Sequence, residues 1–128
     1  MVHNRQCRIG QIPIGPGQPF LLILGPCALE TIEGALLIAK EAKEIGQRHS
    51  LPVIFKASFD KANRSSGKSF RGPGLTLGLK MLAEIKKQTG LPITTDVHEC
   101  HQAEEAGEVL DLIQIPAFLA RQTDLVLT

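Results

Sequence analysis

Residues 53–74, VIFKASFDKANRSSGKSFRGPG, open as an apolar run and then fill abruptly with amines, guanidinium groups, hydroxyls and glycines. Val, Ile and Phe in succession suit an extended strand. A nearly unbroken apolar run, rather than strict alternation, suits a strand covered on both faces, as in a parallel sheet. The polar continuation carries five basic residues, Lys56, Lys61, Arg64, Lys68 and Arg71, against one acid, Asp60, a local balance of +4. The whole chain sums to +1, so the remainder carries −3 and positive charge is concentrated here. Such a cluster points to an anionic ligand.

Working outward, three further segments read as strands: 20–26 (FLLILGP), 93–97 (ITTDV) and 112–117 (LIQIPA). Between the first two strands Thr31 can cap a helix, and Ala35, Ile38, Ala42 and Ile45 form one stripe at helical spacing. Leu75, Leu79, Leu82 and Ile85 repeat the stripe in the next crossover. The third crossover, 99–107, is short, with Ala103 and Ala106 facing inward and Gly107 as its stop. Residues 1–18 place Ile9, Ile12 and Ile14 around a turn at Gly10-Gln11, a small hairpin that would lie as a lid over one end. RQTDLVLT opens a fourth helix. The repeated unit is β/α, and four strands in 128 residues are half the complement of a (β/α)8 barrel, which takes about 250 residues. The expected fold class is therefore α/β, of the (β/α)8 TIM-barrel kind, with about the first four β/α units in 19–128 behind the hairpin, all in a single domain.

Composition narrows the partners. At 43% hydrophobic the chain can build one core. The start, MVHNRQ, has no apolar signal segment, and no apolar run reaches the roughly 18 residues of a membrane span. Cys7, Cys27 and Cys100 make an odd count without CxxC spacing, which disfavours a disulfide framework and fits reduced thiols in the cytoplasm. Trp and Tyr are absent, so the basic stretch has few stacking platforms for single-stranded nucleic acid. A small anionic ligand fits better than a nucleic acid or a membrane.

Strand parity groups the polar side chains. Lys56 shares a face with Ser58, and Asp96 shares one with His98; Gln114 points alone from an apolar strand, and Cys27 follows the Gly25-Pro26 turn. All lie at carboxyl ends of strands, the rim where α/β folds bind ligands. Each also has a plainer reading. Cys27 can be a small buried hydrophobe, and Lys61 and Lys68 can be solvated. His98 can be a structural hydrogen-bonded histidine, with Asp96 its partner or a helix cap. Lys56 needs a carboxylate or a phosphate to sit in so apolar a strand. Two nucleotide motifs are excluded. Gly67-Lys68-Ser69 would need a glycine at 62 to end a P-loop and finds Ala62, and Gly72-Pro73-Gly74 finds Leu77 where a dinucleotide fingerprint has its third glycine.

LGPCALET, FKASFDKANRSSGKSFRGPG, TTDVHE and IQIPAFLARQTDL, in this order, resemble the 3-deoxy-D-manno-octulosonate 8-phosphate synthases over nearly all of the chain. KANRSS discriminates. The sister family making 3-deoxy-D-arabino-heptulosonate 7-phosphate shares the GPC turn but usually carries a Lys-Pro-Arg-Thr type of segment there. The resemblance implies a barrel enzyme that condenses phosphoenolpyruvate with D-arabinose 5-phosphate and water, releasing phosphate, on the route to the Kdo sugar of lipopolysaccharide.

Carried over position by position, the resemblance gives Lys56, Ser58, Lys61, Gln114 and Arg121 to phosphoenolpyruvate. It gives Asn63, Arg64, Ser65 and Phe118 to arabinose 5-phosphate. Asp96 is the acid near the reacting carbons, and Lys61 a proton donor to the aldehyde oxygen. Cys27 after Gly-Pro marks the metal-dependent branch, in which a divalent transition metal takes that thiolate with His, Glu and Asp ligands from the second half of the barrel. The family implies a homotetramer, with Phe118 and Arg121 near a neighbouring subunit. Two other readings stand beside this one: the heptulosonate synthase, and an inactive half barrel that only binds phosphosugar or self-associates. With further ligands expected outside these residues, the 128-residue chain alone is expected to be inactive.

Overall fold

The computed structural model describes residues 6–62 and 65–128, so Asn63 and Arg64 lie outside the described residues. Strands β1 (Cys7–Ile9) and β2 (Ile12–Ile14) form the expected antiparallel hairpin, with Gly10 at φ 55° in its turn. Four strands then make one parallel sheet in the order β3 (Leu22–Leu24), β4 (Val53–Lys56), β5 (Ile93–Asp96) and β6 (Leu112–Gln114). The strands are shorter than the apolar runs that mark them. Ser58 still bridges to Ala28 beyond the end of β4, and the Leu29 amide donates to the Ser58 carbonyl at 2.9 Å.

Helices α1 (Ile32–His49), α2 (Leu75–Thr89) and α3 (Cys100–Gly107) make the crossovers, and α4 (Thr123–Leu127) follows β6. Thr31 caps α1 as expected, its hydroxyl accepting from the Gly34 amide at 3.1 Å. The buried stripe of α1 differs from expectation. It runs through Ala35, Ala39, Ala42 and Gly46, while Ile38 is 40% exposed and Ile45 only half-buried. Small side chains let the helix approach the sheet closely: a Cβ on Gly46 would meet the Val53 side chain at 2.5 Å. Bulky isoleucines cannot occupy that seam and flank it instead. Leu79, Leu82 and Ile85 of α2 are buried as expected. α3 ends at Gly107 as expected, and a one-turn 3-10 helix, Ala117–Leu119, follows β6.

The core lies between helices and sheet. Val53, Phe55, Ala57 and Phe59 point into it from β4 and its extension, joined by Leu29, Leu82, Ile85, Ile93 and Val97. The register fixes what the other face carries. Lys56 pairs with Thr94, and Thr94 with Leu112, while Asp96 pairs with Gln114. Paired residues in a parallel ladder share a face. Ser58, two beyond Lys56, thus falls level with Asp96 and Gln114, and the three polar side chains form a row at the carboxyl end. Asp111 braces the opposite end: its carboxylate accepts from Lys86 Nζ at 2.9 Å and from the Ile93 amide at 3.0 Å, tying α2, β5 and the start of β6. No helix among the described residues is long and apolar enough to cross a membrane.

Gly25 sets how closely β3 and β4 approach at the rim, because a Cβ there would lie 1.8 Å from the Lys56 carbonyl oxygen. Gly25→Ala is expected to destabilise the chain by ~2–4 kcal/mol, since rigid backbone opposes the methyl group. Gly67→Ala, where a Cβ meets nothing within 4 Å, should fall within about 0.5 kcal/mol of the parent. Denaturant unfolding of both variants checks this contrast, and equal losses would contradict it.

Candidate functional site

At the carboxyl ends of β5 and β6 the chain forms a cleft of about 500 Å³ lined by Lys61, Ala62, Asp96, His98, Gln114, Pro116, Ala117, Phe118 and Leu119. That volume suits a small phosphorylated metabolite. Asp96, only 7% exposed, organises its floor. The Ser58 hydroxyl donates to Asp96 Oδ1 and itself accepts from Lys56 Nζ at 3.4 Å, while Lys56 Nζ stands 3.7 Å from the same carboxylate oxygen. His98 Nε2 meets the other oxygen, Oδ2, at 3.0 Å. Lys56 thus finds a partner inside the chain, in Asp96. A carboxylate can only accept, so Nε2 is the donor in this contact.

His98 is held from three directions. Its backbone amide donates to Gln102 Oε1 at 2.8 Å, its ring stands edge-on to Phe59 with centroids 6.0 Å apart, and Asp96 holds Nε2. Its Nδ1 is nevertheless buried without a hydrogen-bond partner, as is the hydroxyl of Thr94, which shares the Lys56 face of the sheet. Buried polar atoms are normally paired. Sequence reasoning left His98 open between a structural and a functional role. The signal that joins it to the site is parity with Asp96, two residues earlier, combined with its lining of the cleft.

The remaining expected residues are distributed unevenly. Lys61 and Gln114 line the cleft, and Gln114 is exposed to it rather than buried in its strand. Phe118 also lines it while 94% exposed. Ser65 is exposed on the loop after β4. Arg121 is exposed in a separate depression with Ala120, Thr123, Val126 and Leu127. Cys27 is exposed, not a buried hydrophobe, and lies with Glu30, Thr31 and Gly34 in a depression that shares no lining residue with the Asp96 cleft. Among the described residues no three His, Cys, Asp or Glu side chains group to hold a metal ion, so Cys27 alone does not make a metal site. Arg71 is engaged by Asp60, Nε to Oδ1 at 2.7 Å and a terminal nitrogen to Oδ2 at 2.6 Å, and this partner raises its already high pKa.

Burial pushes the Asp96 carboxyl upward, but the Ser58 hydroxyl, the Lys56 ammonium, a backbone hydrogen bond and His98 together outweigh it and hold the pKa below the usual carboxylate value. A carboxyl depressed in the folded state adds stability above its unfolded pKa of about 4, and loses it as pH falls through the lower folded value. Unfolding free energy should therefore drop with acidification below about pH 4, and Asp96→Asn should flatten that part of the profile. Parallel acid limbs for parent and variant in denaturant titrations would contradict the assignment.

A family model described as the DAHP synthetase I family matches residues 1–128. Curated relatives named 2-dehydro-3-deoxyphosphooctonate aldolase match as well. The Geotalea daltonii protein is 51% identical over 122 residues, covering 95% of this chain and 45% of the relative. The Shewanella baltica protein is 53% identical over 123 residues, 96% of this chain and 44% of the relative. The Bordetella petrii protein is 55% identical over 113 residues, 88% of this chain and 40% of the relative. The chain thus spans less than half the length of these relatives. The family model spans every element that builds the Asp96 cleft, and the four parallel β/α units match a partial TIM barrel: the chain belongs to the DAHP synthetase I family.

Proposed function

We propose that this chain supplies the first four β/α units of a barrel enzyme that condenses phosphoenolpyruvate with D-arabinose 5-phosphate and water. The products are 3-deoxy-D-manno-octulosonate 8-phosphate and inorganic phosphate, on the route to the Kdo sugar of lipopolysaccharide. The observation that carries the proposal is the buried Asp96, met by Ser58, Lys56 and His98, beneath a cleft that also presents Lys61 and Gln114. The name shared by the curated relatives supports the octulosonate product over the heptulosonate one. Three free thiols, Cys7, Cys27 and Cys100, suit a reducing compartment, and the cytoplasm is the proposed location.

In this reading C3 of phosphoenolpyruvate attacks the aldehyde carbon of the sugar, forming the new C–C bond, and Lys61 delivers a proton to the aldehyde oxygen. Water adds at C2, where positive charge develops, and a carboxylate held ionised beside that carbon stabilises it electrostatically. Asp96 has the required charge because Lys56, Ser58 and His98 hold it so. The resulting hemiketal phosphate then loses phosphate by cleavage of its C2–O bond. Lys56, Ser58, Lys61, Gln114 and Arg121 are proposed for phosphoenolpyruvate, and Ser65 and Phe118, with Asn63 and Arg64 outside the described residues, for the sugar phosphate. Lys and Arg donors offset the phosphate charges and fix their orientation. Cys27 is proposed as one ligand of a divalent transition metal whose other ligands lie outside the described residues; no step above runs through it. A homotetramer of the intact enzyme is proposed with it.

Phosphate release by the intact protein tests the proposal. Phosphoenolpyruvate with arabinose 5-phosphate should turn over, and Asp96→Asn should lower kcat by roughly 10²–10³-fold, the scale of losing one electrostatic stabiliser. Preference for erythrose 4-phosphate as the aldehyde, or an Asp96→Asn variant of parental kcat, would contradict it.

A further inference from the structure

We propose that the Asp60–Arg71 pair is a latch that closes the neck of the 61–70 loop and sets Lys61 at the Asp96 cleft. Arg71 is then a positioning residue and not a phosphate ligand. The inference rests on the function proposed above and reassigns one of the five clustered cations. Arg71 spends the Nε side of its guanidinium fork on both oxygens of Asp60, at 2.7 and 2.6 Å. Such a two-point pair fixes orientation as well as distance. It also cancels the charge of both partners, so the pair contributes no net attraction for an anion.

The backbone closes at the same place. The Lys61 amide donates to the Arg71 carbonyl at 2.6 Å, and the Gly74 amide to the Phe59 carbonyl at 3.0 Å. Gly72, at φ 131°, lies so close to that strand extension that a Cβ would sit 2.2 Å from the Phe59 carbonyl oxygen. Asp60 therefore stands between two fixed residues. Phe59 before it is 1% exposed and meets the His98 ring, and Lys61 after it lines the cleft. Displacing Asp60 moves the residues on both sides of it. By contrast, the described residues 65–70 are exposed and make only local bonds, from the Ser69 amide to the Ser66 carbonyl at 3.1 Å and from the Lys68 amide to the Ser66 hydroxyl at 3.3 Å. Among the described residues of the loop, the neck is the part tied to the sheet, and the ion pair is its side-chain fastening.

A latch and a phosphate ligand predict opposite results for Asp60. If Arg71 bound a phosphate, Asp60→Ala would release its guanidinium and hold or lower the KM for phosphorylated substrates, whereas Arg71→Ala would raise it. A latch makes both substitutions raise KM, by roughly tenfold for loss of one two-point charged pair, and makes the double variant no worse than either single one. Measurements on the intact protein should show that pattern, with partial recovery in the exchanged pair Asp60→Arg/Arg71→Asp. A readout that needs no activity accompanies it: trypsin should cut after Lys61 and Lys68 faster in both single variants, at unchanged Tm, and more slowly again in the exchanged pair. If either alanine variant fails to fold, Arg71→Lys, which keeps the charge and loses the fork, should give an intermediate KM and cleavage rate. KM changes of opposite sign, or cleavage rates equal to the parent's, would overturn the latch. A parent protein inert towards both phosphorylated substrates would instead count against the proposed function, and the proteolysis would still decide the latch.

Discussion

A carboxylate taken out of water must be met by hydrogen bonds and opposite charge, or it protonates. Asp96 imposes that condition on the end of the sheet. Its partners come from two strands: Ser58 and Lys56 from β4 and its extension, and His98 from just beyond β5. They can reach it only because the ladder brings Lys56 level with Thr94 and because alternate residues share a face. The same alternation sends Phe55, Ala57 and Phe59 into the core between sheet and helices. One strand therefore anchors the hydrophobic core with one set of residues and the polar rim with the other. A shift of one residue in its pairing would destroy both.

The close approaches around this strand serve the same condition. Gly25 lets β3 run against the Lys56 carbonyl, and Gly72 lets the returning loop run against Phe59. Both contacts are backbone on backbone, with no side chain able to yield. The rim is consequently rigid where the polar row sits. The exposed residues 65–70 above it are held only at their neck.

Much of this is legible in the residues alone. VIFKAS, ITTDV and LIQIPA marked parallel strands through their apolar content, and counting by twos placed Lys56 with Ser58 and Asp96 with His98. Two features were not legible. The seam of α1 runs through Ala39 and Gly46 rather than Ile38 and Ile45, because close helix-to-sheet approach favours small residues, a distance that helical periodicity does not encode. Arg71 reads in the sequence as one more cation for an anionic ligand, yet its carboxylate partner stands eleven residues earlier and meets it only through the fold of the loop. Local charge counting sums such residues as neighbours; the fold decides which of them cancel.

The central claim is that the Asp96 cleft receives phosphoenolpyruvate. A crystal structure of the intact protein soaked with that compound tests it most directly. The account predicts the ligand in the cleft with its enol carbons over Asp96, and with Lys61 Nζ and Gln114 within about 3.2 Å of its oxygens. Phosphoenolpyruvate bound elsewhere, with Asp96, Lys61 and Gln114 free of it, would contradict the account.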